Sequence, residues 1–492
     1  MITRRTFVGG LAQAARRKPN LLYILADDHA GYVLGCSGNK QAETPNLDRL
    51  ASEGTRFARH YCNSPVCTPS RQSFLTGQLP HMAGVTLLAT RLAPDKPTVA
   101  RQLKKAGYST AALGKMHFNR PSEPGLHGFD YLMTEQDLAR EWRAATHQPA
   151  PENIPTKPAW RPFQDPARIW LNAEKLPYPR FEAGMRSTFL ARRACQYLDE
   201  NKDRPFALWV SFQEPHSPFD FPLEDRDHFD PENFRPPAAG PADAEQIPLI
   251  FRDLTDADKR GIIAAYYTSV RFLDRSIGTV LAKLRECGLD ENTLVVYHAD
   301  HGYSLGHHGR FEKHCGYDPA LHVPLIFRWP GRVRRRTVND FTEHIDVPPT
   351  ILEMLEVDPL PVQHGVSLRH YLRGAEPARP RDHIFSEYLE NEEVYIRTDR
   401  HKLIFGSGKR VRNDGYKTGN PTPGQYARLY DLRGDRGEFT DIAANNPDIV
   451  RSMVSLAVRR FRTTHPEFDW EPARPSVAET LEWYLRPRDA AV

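Results

Sequence analysis

The 492-residue chain has few cysteines, little net charge and no long hydrophobic run. No stretch approaches the roughly 20 apolar residues of a membrane-spanning helix, so no membrane span is expected. The six cysteines include no Cys-x-x-Cys pair, which argues against a cysteine-based zinc site or a dense disulfide framework. The formal net charge of +4 is small for this length, and nucleic-acid binding is not implied.

What remains is the composition of a large globular protein, with 40% hydrophobic and 26% charged residues. The first residues, 1–18, need separate treatment. Arg4-Arg5, Phe7 and a short apolar run resemble a twin-arginine export signal, with Ala12-Gln13-Ala14 as the cleavage site. The alternative is a disordered basic tail. The first interpretation predicts an exported or periplasmic protein, and the second a cytoplasmic one.

Apolar strands alternate with amphipathic helices along most of the chain. "NLLYILADD", "FALWVSFQEP" and "TLVVYHADHG" are typical of buried strands, and "YYTSVRFLDRSIGTVLAKLRE" of an amphipathic helix. This alternation predicts an α/β domain over residues 19–374, with a large, mainly parallel sheet and helices on both faces. After the Pro-rich "RGAEPARPRD", a smaller C-terminal α+β unit with antiparallel strands is expected over residues 383–492.

Polar residues follow the ends of several predicted strands. Asp27-Asp28, Lys115, His216 and Asp300-His301 all occupy such positions. In an open parallel sheet, ligands bind beyond the carboxyl ends of the strands. These residues, far apart in sequence, are therefore expected to converge on one cleft.

Two of these strand ends carry candidate metal ligands. Grouped carboxylates repel one another, and a divalent cation would relieve that repulsion. Either pair alone would more often be a turn or helix cap, but two pairs favour a metal site. Oxygen ligands favour calcium or magnesium, while one imidazole leaves manganese or zinc open. The candidates are Asp27, Asp28, Asp300 and His301.

A set of cationic or imidazole side chains could face this metal site. Together they would suit a tetrahedral oxyanion such as sulfate or phosphate, although each alone would more often be a solvated charge or a loop residue. The set is Arg71, Lys115, His117, His216 and Lys313. The neighbouring His307, His308 and His314 are interpreted as structural loop residues.

The sequence "CTPSR" at Cys67–Arg71, followed by "LTG" at Leu75–Gly77, resembles the motif of the formylglycine-dependent type I sulfatases, a family of the alkaline phosphatase superfamily. Other segments resemble the same family in the same order. They are "YILADDHAG", "TPNLDRLASEGTRFARHY", "LGKMHF", "ADHGYSLGHHGRFEK", "HVPLIFRWPG" and "LYDLRGDRGEFTDIA". The resemblance extends from about Asn20 to Ala443.

The resemblance implies that a maturing enzyme converts Cys67 to formylglycine. The hydrated aldehyde would attack the sulfur of a sulfate monoester, release the alcohol and then expel sulfate by collapse of the hemiacetal. It also implies that Asp27, Asp28, Asp300 and His301 bind one divalent cation together with the modified Cys67. Calcium is the expected ion, with magnesium or manganese as alternatives.

The same resemblance implies roles for the cationic set. Arg71 would hold the diol and the carboxylates beside the metal, and Lys115 and Lys313 would bind sulfate oxygens. His117 would hydrogen-bond the formylglycine and assist collapse. His216 would hydrogen-bond the ester oxygen and protonate the leaving alcohol.

Some positions depart from the common pattern. His301 stands where many members have asparagine, and Tyr303 where many have an acidic residue. Segments around "GKMHF" and "YDPALHVPLIF" lean towards different subfamilies, similar to choline sulfatases, phosphonate hydrolases or iduronate sulfatases, so no single ester is predicted. The expected substrate is a small-molecule or saccharide sulfate ester. The alternatives are a phosphodiesterase or phosphonate monoester hydrolase using the same formylglycine, and a non-catalytic binding protein of the same fold.

Overall fold

The structure, a computed structural model, describes residues 17–146, 152–156, 171–410, 412, 415–466 and 468–489. Eight strands form its large sheet: β1 (Asn20–Asp27), β2 (Thr55–Tyr61), β3 (Ser109–Gly114), β4 (Tyr131–Met133), β5 (Phe206–Pro215), β6 (Thr293–Ala299), β7 (Leu325–Arg328) and β8 (Arg336–Glu343). Their order in the sheet is β4-β3-β5-β1-β6-β7-β2-β8. The strand β1, which carries Asp27, therefore lies near the middle.

Most neighbouring strands in this sheet are parallel, as predicted. The strand β1 is parallel to both β5 and β6, and β3 is parallel to β4 and β5. Only β7 runs antiparallel to its two neighbours, β6 and β2, among the strands described. The parallel centre of the sheet brings the carboxyl ends of β3, β5, β1 and β6 to one edge.

Helices cover both faces of the sheet. They are α1 (Pro45–Glu53), α2 (Cys67–Thr76), α3 (Pro80–Ala83), α4 (Val99–Lys105), α5 (Glu135–Ala145), α6 (Arg186–Asn201), α7 (Leu249–Arg252), α8 (Asp256–Glu286), α9 (Asp318–Leu321), α10 (Val347–Met354) and α11 (Arg369–Leu372). Leu22 of β1 packs in the same apolar cluster as Leu273 of α8. Its neighbour Tyr23 belongs to the opposite cluster, with Phe74 of α2. Successive side chains of β1 thus pack on opposite faces, which explains its continuous apolar sequence.

A smaller antiparallel sheet follows, also as predicted. Its strands are β9 (His383–Tyr388), β10 (Glu393–Thr398), β11 (His401–Gly406) and β12 (Tyr426–Asp431), in the order β12-β11-β10-β9. The helices α12 (Pro447–Thr464) and α13 (Val477–Tyr484) share one apolar cluster with this sheet. The exact division into residues 19–374 and 383–492 stays a prediction.

Three observations concern the expectations about location and cysteines. Across the described part of the chain, the model holds no helix that is both long and apolar enough to cross a bilayer. Residues 1–16 of the proposed export segment lie outside the described residues, so that interpretation stays a prediction. All six cysteines are described, and each is a free thiol, including Cys62 and Cys67.

Candidate active site

Two carboxylate-bearing strand ends meet at the centre of the large sheet. Ala26 of β1 is in register with Ala299 of β6, so the residues that follow them are neighbours. The main-chain N–H of Asp28 donates to Asp300 Oδ1 over 3.1 Å. The side chains of Asp27, Asp28 and Asp300 are all fully buried. The convergence predicted from the strand ends is present here.

The helix α2 presents Cys67 to these carboxylates. Val66 is extended, and the helix begins at Cys67, so the thiol lies at the positive end of the helix dipole. Cys67 Sγ lies 3.2 Å from His301 Nε2 and 3.7 Å from Asp27 Oδ1. The nucleophile candidate therefore lies directly against the candidate metal ligands.

Arg71 lies one turn later on the same face of α2. Its Nε atom donates to Asp300 Oδ2 over 2.9 Å, and its Nη2 atom lies 3.3 Å from Asp27 Oδ2. The guanidinium is buried, and its third nitrogen, Nη1, donates to Ser211 Oγ over 2.9 Å. One arginine thus ties the end of β1 to the end of β6.

Two lysines approach Cys67 from different segments. Lys115 follows β3, contacts Asp27 and lies with its Nζ atom 3.9 Å from Cys67 Sγ. Lys313 lies in the loop after β6, with its Nζ atom 3.3 Å from Cys67 Sγ and 2.7 Å from Asp28 Oδ1. Two ammonium groups therefore line the space around the thiol, as an oxyanion pocket requires.

The two predicted histidines lie at the rim of the same site. His216 follows β5, and one of its ring nitrogens belongs to a compact group with Asp27, Asp28 and Cys67. His117 follows Lys115, and its main-chain carbonyl accepts from Gln72 Nε2 of α2. The Nδ1 atom of His117 is buried and has no partner among the described residues. The structure thus groups a ring nitrogen of His216 with Cys67, and it places the main chain of His117 against the helix that carries Cys67.

The charges around the thiol shift its acidity. Burial raises the pKa of Cys67, but Lys115 and Lys313 outweigh burial and leave the pKa below its ordinary value. Burial likewise raises the pKa of Asp27, while Lys115, His216 and Arg71 together hold it well below its usual range. The lysine and arginine charges therefore stabilise the anionic forms of Cys67 and Asp27.

In Asp28 and His301, two of the other candidate ligands, the pKa is raised instead. Burial raises the pKa of Asp28 to about 7, against the opposing charges of Lys313 and His301. Burial lowers the pKa of His301, but Asp300 and Cys67 reverse this and raise it to about 9. The two side chains are also adjacent, with His301 Nδ1 lying 3.2 Å from Asp28 Oδ1.

The donor atoms fit a divalent cation. Asp28 Oδ2 is buried and makes no hydrogen bond to any described residue. An oxygen left in this state is stabilised by a metal ion. Two overlapping groups have ligand atoms that all lie within 4.8 Å of one another: Asp27, Cys67, Asp300 and His301, and Asp27, Asp28, Cys67 and His216.

Two serines were not assigned roles from the sequence. Ser70 Oγ donates to the main-chain carbonyl of Asp300 and so fixes α2 against β6. Ser211 of β5 accepts the Arg71 bond described above. The motif around Cys67 contains Ser70 and could have indicated its importance, whereas Ser211 lies within an apolar strand and carries no such signal.

His308 was interpreted from the sequence as a structural loop residue. In the structure, its Nδ1 atom lies 3.0 Å from Asp243 Oδ2.

Comparison with known proteins agrees with this geometry. The model of the family described as "Sulfatase" matches residues 19–357. A second model, described as "N-sulphoglucosamine sulphohydrolase, C-terminal", matches residues 306–456. The first range contains the whole candidate site, and the second extends through the smaller sheet into α12.

Individual relatives align over nearly the full chain. The choline-sulfatase of Rhizobium meliloti is 28% identical over 498 residues, covering 95% of this chain and 91% of the relative. The Delta 4,5-hexuronate-2-O-sulfatase of Bacteroides thetaiotaomicron is 26% identical over 465 residues, covering 88% and 86%. In fold, the solved phosphonate monoester hydrolase of Agrobacterium radiobacter is similar with a TM-score of 0.75 at 24% identity, covering 91% and 96%. Because the first family model spans more than half of the chain, the protein belongs to the sulfatase family and is a hydrolase of that family.

Proposed function

We propose that this sulfatase hydrolyses a sulfate monoester of a carbohydrate, using a formylglycine made from Cys67 and one divalent cation. The observation that carries the proposal is the position of Cys67 Sγ between two lysine ammonium groups and the carboxylates of β1 and β6. In this structure, Cys67 Sγ stands in for the oxygens that the hydrated aldehyde would have in the mature protein. If an oxygen attacked from this position, the ammonium groups of Lys115 and Lys313 would lie close enough to bind the sulfate group.

The cation would be held by Asp27, Asp28, Asp300 and His301, with the modified Cys67 as a further ligand. When bound, it would supply Lewis acidity that favours a deprotonated oxygen on the nucleophile. Three carboxylates favour calcium, while the single imidazole keeps magnesium and manganese as alternatives. The orphaned Asp28 Oδ2 supports a ligand role for that residue.

Side chains of the protein would bind the substrate, align the carboxylates and transfer protons. Lys115 and Lys313 would bind the sulfate oxygens and stabilise charge as the S–O bond breaks. Arg71 would keep the carboxylates of Asp27 and Asp300 aligned. Because an unprotonated alkoxide is a poor leaving group, a proton donor would help at the ester oxygen. The position of His216 beside Cys67 and Asp27 supports this role for it.

His117 is proposed to act on the modified residue. Its buried Nδ1 has no partner among the described residues, so it is available to accept a proton from the diol. After sulfate transfer, loss of the proton from the remaining hydroxyl would turn its C–O bond into the C=O bond of the aldehyde. The C–O bond to sulfate would break at the same time, and sulfate would leave with the electron pair. Net reaction is one water and one sulfate ester giving an alcohol and sulfate.

The carbohydrate substrate is supported by a relative. The Bacteroides thetaiotaomicron protein is a hexuronate-2-O-sulfatase, and it aligns over most of this chain. The choline-sulfatase relative shows that a non-sugar ester must be included in any assay. We further propose that a formylglycine-generating enzyme acts on the chain before use, and that the twin-arginine-like residues 1–18 direct export.

The proposal is tested on the tryptic peptide from His60 to Arg71. Protein made with a formylglycine-generating enzyme should show the Cys67 thiol replaced by an aldehyde, and protein made without it should show the thiol. Only the modified protein should turn over sulfated sugars, choline sulfate or aryl sulfates. An unmodified thiol in fully active protein would overturn the nucleophile assignment.

The same two preparations decide between sulfate and phosphorus esters. Turnover of sulfate monoesters should exceed that of phosphodiesters and phosphonate monoesters. The reverse ranking would make the chain a phosphonate hydrolase or phosphodiesterase with the same modified residue. No turnover of either class by modified, metal-loaded protein would favour a binding protein.

A further inference from the structure

A second group of potential metal ligands lies behind the candidate active site. It consists of His60 in β2, His298 in β6 and His344 directly after β8, and we name it the histidine cluster. All three side chains are fully buried. One ring nitrogen from each lies within 4.8 Å of the others. None of these residues takes part in the proposed sulfatase chemistry.

A hydroxyl group orients each ring through its Nδ1 atom. The pairs are His60 with Thr342 Oγ1 (2.9 Å), His298 with Tyr23 OH (3.1 Å) and His344 with Ser70 Oγ (3.0 Å). Ser70 gives its own proton to the carbonyl of Asp300, so it accepts from His344. Histidines that bind metals characteristically donate one ring N–H to such a partner and turn the other nitrogen to the ion.

The Nε2 atoms are therefore the ones left to face inwards. His60 Nε2 and His298 Nε2 lie 3.1 Å apart. His344 Nε2 is buried and has no partner among the described residues. A tetrahedral ion with metal–nitrogen distances of about 2.0–2.1 Å separates its ligand nitrogens by about 3.3 Å. The observed spacing of the first pair agrees with that geometry.

Two of the rings are also available as neutral ligands. Burial, and the neighbouring His298, hold the pKa of His60 and of His344 well below the ordinary value. A neutral imidazole keeps a lone pair that a protonated ring has lost. His60 and His344 therefore need no proton loss before they bind an ion.

We propose that the histidine cluster is a binding site for a borderline divalent transition metal ion such as Zn²⁺, held by the three Nε2 atoms. The all-nitrogen donor set favours such ions over calcium and magnesium, which prefer oxygen. The site is thus chemically distinct from the carboxylate site around Asp27. The nearby charge of Arg71 disfavours a second cation, so the affinity is expected to lie below that of sites with an anionic ligand.

The ion would be structural and would support α2 from behind. Ser70 connects His344 to α2 on one side and to Asp300 on the other. Because the cluster has no solvent exposure, the ion would enter as the chain folds. It would then fix the positions of β2, β6 and the segment after β8 relative to the helix that carries Cys67.

Cobalt is the probe for the test, because tetrahedral Co²⁺ with nitrogen ligands absorbs visible light strongly. The full-length protein is produced in Co²⁺-supplemented medium, and bound cobalt is measured by elemental analysis and by the visible spectrum. The wild type should show the tetrahedral bands. His344→Gln should lose them, whereas Asp28→Asn, which alters the carboxylate site, should keep them.

A second pair of variants covers the case in which His344→Gln fails to fold. Thr342→Val removes the hydroxyl that orients His60 and should weaken cobalt retention against a chelator by about 10- to 100-fold. Thr350→Val is the matched control, since its buried hydroxyl bonds only Asp346 O and the N–H of Leu368 among the described residues. It should retain cobalt like the wild type.

Three results would overturn the proposal. They are wild-type protein without tetrahedral bands, bands that vanish in Asp28→Asn but persist in His344→Gln, and equal cobalt retention by Thr342→Val and Thr350→Val. In the first case the histidines form a hydrogen-bonded network without an ion. None of these readouts depends on sulfatase turnover, so the histidine cluster and the proposed function are tested separately.

Discussion

The Nε atom of Arg71 donates to Asp300 Oδ2 over 2.9 Å, and both side chains are buried. A second nitrogen of the same guanidinium lies 3.3 Å from Asp27 Oδ2. The planar fork therefore fixes the separation of two carboxylates from different strands. A flexible lysine has a single charged atom and cannot hold both contacts in this geometry.

Replacing Arg71 by lysine should therefore lower the catalytic rate, although the positive charge is kept. We expect kcat/KM for a sulfate ester to fall by about 100-fold, because the ligand carboxylates lose their fixed positions. The thermal unfolding midpoint should also fall. Arg49→Lys, an exposed substitution on α1, is the control and should leave both unchanged. Near wild-type turnover by Arg71→Lys would show that this link is dispensable.

Cys67→Ala should abolish turnover while retaining the fold. The substitution removes the thiol whose oxidation would give the aldehyde, but it deletes only a single buried sulfur. The comparison is Cys62→Ala, which removes a thiol that is also fully buried and lies in the same tryptic peptide. Sulfate release and circular dichroism should separate the two variants: both fold, and only Cys62→Ala remains active. Measurable turnover by Cys67→Ala would reject formylglycine.

The strand ends explain why part of the site could be predicted from sequence. Asp27, Asp300 and His216 follow long apolar strands, and such strands lie side by side in a parallel sheet. Arg71 and Lys313 gave no comparable signal, because one lies on a helix and the other in a long loop. Their charges suggested membership of a cationic set and the resemblance to sulfatases implied their roles, but their contacts with Asp300 and Asp28 needed the structure.

Other features carried no signal in the sequence. The strand β2, "TRFARHY", was not predicted because it lacks a clean alternation of apolar and polar residues. The antiparallel direction of β7 depends on how the chain returns from α9, which local sequence does not determine. The histidine cluster joins residues 60, 298 and 344, and no regular spacing connects them. Contacts between such distant positions arise from the order of strands in the sheet.

Removing the divalent cation should remove activity, and Asp300→Asn should lose the cation and activity together. The amide is a poorer ligand than the carboxylate, and it also weakens the bond from Arg71. Elemental analysis and turnover are measured on the same samples, before and after chelation. Asp399→Asn, at an exposed carboxylate, is the control and should keep both.

Adding back single ions to the chelated protein identifies the cofactor. Calcium should restore turnover if the three carboxylates dominate the ligand set, and manganese or magnesium if His301 shifts the preference. Full turnover after complete removal of metal would contradict the metal-dependent mechanism. Loss of metal by Asp300→Asn without loss of activity would do the same.

The buried Lys402 should be important for the junction between the two sheets. Its Nζ atom lies 2.8 Å from Asp318 Oδ1, at the start of α9, and 2.6 Å from Glu438 Oε1. Lys402→Met keeps most of the apolar volume but leaves Glu438 buried without its cation. We expect the free energy of unfolding to fall by about 3 kcal/mol, as measured by denaturant titration. Lys40→Met, at an exposed lysine, should cost little.

The pH dependence of this loss has a definite sign. Burial already raises the pKa of Glu438, and loss of the lysine charge raises it further. A carboxyl whose folded pKa exceeds its unfolded value stabilises the fold at low pH, and this stability is lost as the pH rises through the folded pKa. The deficit of Lys402→Met relative to the wild type should therefore shrink as the pH is lowered from neutral, because Glu438 takes up its proton more readily in the variant. A deficit that shrank only under strongly acidic conditions would show that Asp318, whose pKa is held low by Lys402 and Arg397 against the effect of burial, dominates the junction instead.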